Sequence, residues 1–147
     1  MINDATVIEV TKKFRFEAAH RLGDGYKGKC TNLHGHSWNG SVTVCSLEKG
    51  TQLDGFGMVV DYAKIKEIIK PTIDFLDHSV IVGVNDTSLR DFAESEENKV
   101  YLINGNPTSE SIAMHLYAKW QPLFADAGLL LVSVKICETC TTKCTVY

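Results

Sequence analysis

The sequence predicts an α+β protein in which an antiparallel sheet carries helices on one face. Two β-rich segments open the chain, two helical segments follow, and two further β-rich segments close it. Strands grouped at both ends with helices between them are typical of α+β domains rather than of alternating α/β folds. We therefore expect a four-stranded sheet and two helices in the order ββααββ, within one domain of residues 1–147.

The first two strands are predicted from the residue pattern. Residues 5–16 are rich in Val, Ile, Thr and Phe, and residues 35–47 alternate between two faces. A glycine-containing loop joins the two segments and carries Cys30. His20 should then lie near the end of the first strand, and the second strand should run antiparallel to it.

The two helices are predicted from their first residues and their apolar spacing. Asp61 is suited to cap a helix that includes residues 65–69. We expect Pro71 to break or kink that helix, because proline cannot donate the next backbone hydrogen bond. Asn106 as a cap and Pro107 at the first helical position predict the start of the second helix.

The remaining segments are predicted to be a loop and two strands. Residues 85–99 are polar and acidic, which favours a long surface loop with at most one helical turn. Residues 129–137 form a β-rich run that ends at Glu138, and residues 144–147 could form a short last strand.

Composition indicates a cytosolic globular protein. Hydrophobic residues make up 44% of the 147 residues, and no apolar run approaches the roughly 18 residues of a membrane span. The net charge of -3 argues against a nucleic-acid-binding surface over the whole molecule. Five irregularly spaced cysteines indicate a reducing compartment rather than a disulfide framework.

Three histidines are candidate ligands of a catalytic metal ion. His34 and His36 are two positions apart at the start of a strand, so both side chains leave the same face. His20 adds a third imidazole, and three neutral nitrogen donors with an open fourth position are typical of catalytic zinc. Alternatively, the His34–His36 pair is incidental and His20 is a surface or capping histidine.

Proton chemistry has candidates in a thiol and an adjacent acid–base pair. Cys30 lies four residues before His34 and could face the same cavity, or it could be a small buried hydrophobic residue. Asp77 and His78 could transfer protons from the end of an element, or they could be a helix-end cap beside an exposed histidine.

Substrate binding is predicted for three polar side chains. Glu138 could fix a polar ring through paired hydrogen bonds, or it could be a strand-end charge in solvent. Glu110 suits the positive end of a helix dipole and has a weaker claim to ligand contact. Thr108, two positions earlier, is the third candidate.

Two further clusters are ambiguous. The cationic residues between positions 12 and 29 could bind an anion or form a solvated basic face. Cys137, Cys140 and Cys144 could bind a second metal or form a redox pair, but three thiols make an incomplete zinc site. Ordinary thiols are the favoured interpretation of this cluster.

Taken together, six motifs resemble those of the 6-pyruvoyltetrahydropterin synthase and 6-carboxytetrahydropterin synthase family. In chain order they are Phe16-Glu17-Ala18-Ala19-His20, Cys30 with His34-Gly35-His36, Gly57-Met58-Val59-Val60-Asp61-Tyr62, Leu76-Asp77-His78, Asn106-Pro107-Thr108-Ser109-Glu110 and Glu138-Thr139. They span nearly the whole chain, and their coincidence is far more specific than any single motif.

The resemblance implies a tunnelling fold, in which three subunits join their antiparallel sheets into a barrel and two trimers stack into a hexamer. It also implies that the three histidines bind Zn²⁺ and that Cys30 is the catalytic thiol. Asp77 and His78 would act with Cys30 from a neighbouring subunit, and Glu138 would anchor the pterin ring. The implied substrate is 7,8-dihydroneopterin triphosphate.

The spacing of the thiol favours one branch of the family. Three residues between Cys30 and His34 resemble the branch that forms 6-carboxytetrahydropterin in queuosine biosynthesis, a carbon–carbon lyase that releases acetaldehyde and triphosphate. The alternative is a 6-pyruvoyltetrahydropterin synthase of biopterin synthesis. A third possibility, of another class, is a zinc-stabilised oligomeric binding module that lacks turnover.

Overall fold

The computed structural model of the protein describes residues 6–48 and 52–147. Within these residues the chain forms one six-stranded mixed sheet with three α-helices. The strands are β1 (Val10–His20), β2 (His34–Ser46), β3 (Ser79–Gly83), β4 (Val100–Ile103), β5 (Leu129–Thr139) and β6 (Thr142–Val146). The helices are α1 (Tyr62–Leu76), α2 (Thr87–Ser95) and α3 (Ser109–Asp126).

The α+β class is confirmed, but the predicted four strands and two helices are too few. The strand order is β4-β3-β1-β2-β5-β6, with antiparallel pairing from β1 through β2 and β5 to β6. These four antiparallel strands are the predicted ones. The additional strands β3 and β4 pair parallel to β1 and to each other, so the sheet is mixed rather than wholly antiparallel.

Strand β1 is displaced relative to the prediction of residues 5–16. It continues to His20, because residues 17–20 pair with residues 34–37 of β2. Phe16, Ala18 and His20 are buried and alternate with more exposed neighbours, so this end of the strand keeps the period of two. The beginning of the predicted strand, Ala5, lies outside the described residues.

The parallel strands β3 and β4 were missed because both are short. All five residues of β3 are buried, and such a continuous apolar run has no alternation to identify it. Helix α2 forms the crossover between β3 and β4 that parallel neighbours require.

Helix α1 continues through Pro71, contrary to the predicted break. Asp61 caps it as expected, accepting a hydrogen bond from the backbone of Ala63. Pro71 is exposed, so water can bond the backbone carbonyl that the proline leaves without a donor. Buried side chains on both sides of the proline, including Ile69 and Leu76, hold the helix against the sheet.

The predicted loop of residues 85–99 contains helix α2. Asp86 caps it by accepting a hydrogen bond from the backbone of Leu89. Leu89 and Ala93, four positions apart, pack against Val80 and Val82 of β3. The helix was not predicted because its buried side chains, Leu89 and Ala93, are too few to give a clear apolar pattern in a polar segment.

Helix α3 begins two residues later than predicted. Its cap is Thr108, whose hydroxyl accepts a hydrogen bond from the backbone of Ser111. Asn106 and Pro107 therefore lie in the preceding loop. Helices α1 and α3 cover one face of the sheet, and the core between them includes Trp38 and Trp120, both fully buried.

No helix among residues 6–48 and 52–147 has the length and apolar character needed to cross a membrane. The cytosolic location stays a prediction.

Candidate metal centre

The three predicted histidines meet on the helix-covered face at one end of the sheet. The register pairs His20 with His34 and Ala18 with His36, and side chains two positions apart on a strand share a face. One ring nitrogen from each imidazole lies within 4.8 Å of the other two. The structure thus brings together residues that are separated by a loop in the sequence.

Backbone carbonyls fix the orientation of two of these rings. His20 donates from Nδ1 to the carbonyl of Pro107 at 2.7 Å, and His34 donates from Nδ1 to the carbonyl of Asn32 at 2.7 Å. A carbonyl can only accept, so the proton of each neutral ring is on Nδ1. Both Nε2 atoms therefore present a lone pair to the centre of the cluster.

The Nε2 lone pairs of His20 and His34 face each other with no proton between them. Burial lowers the pKa of both His20 and His36, so the neutral imidazoles are favoured. The Nε2 atoms of His20 and His34 lie 3.2 Å apart, yet neither carries a proton to share. His36 Nε2 is buried and accepts no hydrogen bond within the described residues.

A bound cation would satisfy all three nitrogens at once. Neutral imidazole donors with fixed Nδ1 protons are the usual metal ligands, and carbonyl partners of this kind orient them. The residues present therefore fit a metal ion, and His20, His34 and His36 could hold it.

Glu138, at the end of β5, reaches the same centre. Its Oε1 lies 3.3 Å from His20 Nε2 and 3.4 Å from His36 Nε2. Sequence reasoning predicted a ring-binding role for this carboxylate but not its proximity to the histidines, which depends on how β5 is aligned with β2.

Cys30 opens onto the cleft in front of the histidines. The cleft has a volume of about 430 Å³ and is lined by Lys29, Cys30, Asn32, His34, His36, Glu138 and Thr139. A short 3-10 helix, Lys29–Thr31, presents the thiol, and a hydrogen bond of 2.8 Å from the backbone of Leu22 to the carbonyl of Cys30 closes the loop. The thiol is half-buried and unpaired with another cysteine.

A side chain that sequence reasoning assigned to helix capping instead clamps two loops of the site. Asn106 accepts a hydrogen bond from the backbone of Gly23 at 2.7 Å and donates to the carbonyl of Gly23 at 3.3 Å. Gly23 lies in the loop that carries Cys30. Pro107 follows Asn106 directly, and its carbonyl accepts the hydrogen bond from His20. The sequence offered no signal for this contact, which joins residues 83 positions apart.

Asp77 and His78 lie on the other side of β1. Asp77 accepts a hydrogen bond from the backbone of Glu17 at 2.8 Å and pairs with His78 Nδ1 at 2.9 Å. The backbone hydrogen bond from Glu17 is the main reason that the pKa of Asp77 lies below its usual range. His78 lines a second cleft of about 440 Å³, which shares His36 with the first cleft but does not include Cys30.

The chain matches a known protein family over nearly its whole length. The sequence model described as 6-pyruvoyl tetrahydropterin synthase matches residues 9–147. The chain belongs to this family of enzymes.

Individual relatives of the 6-pyruvoyl tetrahydropterin synthase family resemble the chain over most of its length. It is 37% identical to a Rickettsia bellii protein named 6-carboxy-5,6,7,8-tetrahydropterin synthase, over 90% of this chain and 95% of that protein. An Aquifex aeolicus protein of the same name is 36% identical, over 92% and 94%. An uncharacterized Wolinella succinogenes protein of known structure is 22% identical with a TM-score of 0.80, over 97% and 99%. The fold is thus the tunnelling fold of this family.

The structure gives the other predicted functional residues, Thr108 and Glu110, positions at the start of helix α3. The hydroxyl of Thr108 caps α3, and Glu110 lies exposed in the first turn of that helix. Contact of either with substrate stays a prediction. Cys137, Cys140 and Cys144 are free thiols, and they form no metal-binding group in the described part of the chain.

Proposed function

We propose that this protein is a zinc-dependent 6-carboxy-5,6,7,8-tetrahydropterin synthase with a single domain over residues 1–147. It would convert 7,8-dihydroneopterin triphosphate and water to 6-carboxytetrahydropterin, acetaldehyde and triphosphate. The observation that carries the proposal is the cluster of His20, His34 and His36, in which His34 and His36 line the same cleft as Cys30. The names of the relatives at 36–37% identity support the carboxypterin branch.

The residues of the cleft can each be given a role in this reaction. His20, His34 and His36 would hold Zn²⁺, which when bound supplies Lewis-acid polarisation of the side-chain hydroxyls of the substrate. Cys30 as a thiolate would remove a proton from the substrate side chain. Glu138 would accept hydrogen bonds from the pterin ring, and Lys29 at the rim of the cleft could pair with the triphosphate.

The two edges of the sheet support assembly of the active site between subunits. Strand β3 pairs with β1 only at residues 18–20, so residues 10–16 of β1 have an open edge within the described chain. Strand β6 forms the outer edge at the opposite side of the sheet. Open edges carry unpaired backbone groups that can pair with another chain.

Pairing of these edges would bring Asp77 and His78 to the thiol of a second copy. An antiparallel match of β6 from one copy with β1 of the next places the turn after Thr139 beside Glu17, which bonds Asp77. Cys30 and Glu138 of the first copy share a cleft with that Thr139. Three copies joined in this way would form the expected barrel, and two barrels the expected hexamer.

The proposal is tested by incubating the zinc-loaded protein with 7,8-dihydroneopterin triphosphate and identifying the pterin and the small carbonyl product. We expect a carboxypterin and acetaldehyde in equal amounts. A pyruvoyl pterin without acetaldehyde would identify a 6-pyruvoyltetrahydropterin synthase, and zinc binding without turnover would identify a binding module.

Cys30→Ala tests the thiol within the same assay. We expect zinc binding to persist and turnover to fall by about 100-fold or more, since a positioned proton-transfer group contributes roughly 10²–10⁴-fold. Met114→Ala is the control, because Met114 is an exposed sulfur-containing side chain on α3, away from the cleft. Unchanged turnover in Cys30→Ala would refute the thiol mechanism.

A further inference from the structure

A third cleft lies between helices α1 and α3 and strand β4, away from the histidine cluster. Its volume is about 450 Å³, within the range of roughly 300–1,000 Å³ that is usual for small-molecule sites. The side chains that determine its chemistry are Phe75, Tyr101, His115 and Lys119. No residue that lines it belongs to the proposed active site, and none lies on β1 or β6, the strands proposed to pair between copies.

Aromatic rings form one wall of this cleft. The ring of Phe75 lies 5.7 Å from that of Tyr101 and is tilted by 56° to it. The ring of His115 lies 5.4 Å from that of Tyr101 at 84°. Phe75 is 49% exposed, so about half of its surface is open to contact with a ligand. Exposed aromatic faces offer a large apolar area to another ring, and the wall therefore favours a planar aromatic ligand.

Tyr101 and His115 keep one hydrogen-bond donor that no described residue uses. Tyr101 Oη lies 2.8 Å from His115 Nε2. Burial lowers the pKa of His115 and raises the pKa of Tyr101, so the pair consists of a neutral imidazole and a phenol. If the phenol donates to Nε2, the proton on Nδ1 has no acceptor among the described residues, and if Nε2 donates, the phenol proton has none. Either tautomer leaves one donor for a ligand.

The charged side chains at this cleft are positive. Lys119 lies one helical turn after His115 and forms no ion pair within residues 6–48 and 52–147. Lys99 Nζ lies 5.6 Å from the centre of the Phe75 ring and donates to the carbonyl of Asp74 at 3.0 Å. No carboxylate of the described chain lines the cleft. One ammonium group and one neutral donor match the single charge and the two acceptor oxygens of a carboxylate.

We propose that this cleft binds a small planar aromatic carboxylic acid. Its ring packs against Phe75 and Tyr101, and its carboxylate pairs with Lys119 and with the remaining donor of the Tyr101–His115 pair. The inference does not depend on the reaction at the metal centre, because the two sites share no residue. It gives a ligand-binding role to a face of the helices that the proposed function does not use.

The ligand class is tested by isothermal titration calorimetry of the zinc-loaded protein with 2-naphthoate. Naphthalene-2-methanol is the matched neutral probe, because it has the same ring system and no charge. We expect saturable binding of 2-naphthoate and binding of the alcohol that is weaker by about 10-fold or more, the effect of losing a hydrogen bond between charged groups.

Lys119→Gln tests the position of the carboxylate within the cleft. We expect the dissociation constant of 2-naphthoate to rise by about 10-fold or more in this variant, because the ammonium group is removed. Lys66→Gln is the matched control, because Lys66 is an exposed lysine of α1 that does not line the cleft. Circular dichroism of both variants verifies that they are folded.

Nuclear magnetic resonance of the histidine rings locates the bound probe. The ring signals of His115 are identified by their absence in His115→Gln, and those of His34 by their absence in His34→Gln. Addition of 2-naphthoate to the zinc-loaded protein should shift the signals of His115 and leave those of His34 in the metal centre unchanged.

Three outcomes would overturn the inference, whether or not the protein forms acetaldehyde. The first is that the alcohol binds as tightly as 2-naphthoate, or that neither binds. The second is that Lys119→Gln binds 2-naphthoate as well as Lys66→Gln does. The third is a shift of the His34 signals without a shift of the His115 signals, which would place the probe at the metal centre.

Discussion

Arg21 and Asp86 form a two-pronged ion pair that fixes the chain directly after His20, a predicted metal ligand. Arg21 Nε donates to Oδ2 at 2.7 Å, and a terminal guanidinium nitrogen donates to Oδ1 at 2.6 Å. Asp86 at the same time caps helix α2. The pair therefore connects the end of β1 to the crossover between β3 and β4.

Asp86→Asn should destabilise the fold at neutral pH by about 2 kcal/mol, since hydrogen bonds to charged groups contribute roughly 1.5–3 kcal/mol. The amide oxygen can still cap α2, so the variant removes mainly the ion pair. Arg21 is the main cause that lowers the pKa of Asp86 from its usual 3.8. The stabilisation is therefore complete above that value and is lost as the pH falls through the lowered pKa.

Urea unfolding at neutral pH and below pH 3.8 measures this difference. Asp91→Asn is the control, because Asp91 is exposed and lies 3.8 Å from Arg90. Equal losses of unfolding free energy in the two variants would show that the Arg21–Asp86 pair stabilises the fold no more than the exposed Arg90–Asp91 pair does.

Removal of the metal ion should lower the melting temperature and change the fluorescence of Trp38. Its ring lies 5.0 Å from the ring of His20 and 5.2 Å from that of His36. Zinc bound only to the folded state stabilises it by about 4 kcal/mol at a free concentration a thousand times the dissociation constant. Calorimetry and tryptophan emission, with and without a chelator, measure both effects.

Trp120 provides the internal comparison for that experiment. It donates from Nε1 to Thr72 in the core between the helices. The metal-dependent emission change should persist in Trp120→Phe and disappear in Trp38→Phe. The opposite pattern would place the metal ion away from the three histidines.

Mixing of two inactive variants should restore activity if Asp77 acts on the Cys30 of a neighbouring subunit. Random assembly of Cys30→Ala and Asp77→Ala chains in equal amounts gives about a quarter of the sites both native groups. We therefore expect about a quarter of the native turnover after joint refolding, measured as acetaldehyde released. Activity no higher than the sum of the two separate variants would mean that each site lies within one chain.

Gly83→Ala should weaken zinc binding, although residue 83 is not part of the site. A methyl group there would overlap the carbonyl oxygen of Gly105, and the loop after Gly105 carries Asn106 and Pro107. Because Pro107 orients His20, displacement of this loop should raise the zinc dissociation constant by about 10-fold or more.

Gly55→Ala is the control for the loop displacement, since a methyl group at that position meets no atom within 4 Å. Both variants are compared by chelator competition. If the two glycine variants bind zinc equally well, the loop does not determine the orientation of His20.

The sequence predicted that His34 and His36 share a face because this follows from strand periodicity. The motif around His20 predicted the third histidine of the cluster, which the structure places beside them. The carbonyl of Pro107 and the clamp from Asn106 could not be predicted in this way. They depend on how a loop 83 to 87 positions away packs against the end of β1.

The errors in the predicted fold also come from contacts between segments that are distant in the sequence. Pro71 has an unfavourable intrinsic propensity, but burial of its neighbours in α1 outweighs it. Helix α2 and strands β3 and β4 are defined by contacts with one another rather than by their own patterns. The proposed action of Asp77 on Cys30 requires a second copy of the chain, so one subunit alone cannot test it.

A metal ion held by His20, His34 and His36 would favour the native register of β1 and β2, because that register pairs His20 with His34. A slip of one residue between β1 and β2 would turn His34 and His36 to the opposite face of the sheet. A misaligned hairpin would then lose its affinity for the ion, whereas the correct alignment gains it. A bound ion would thus stabilise the native register of the two strands relative to a register shifted by one residue.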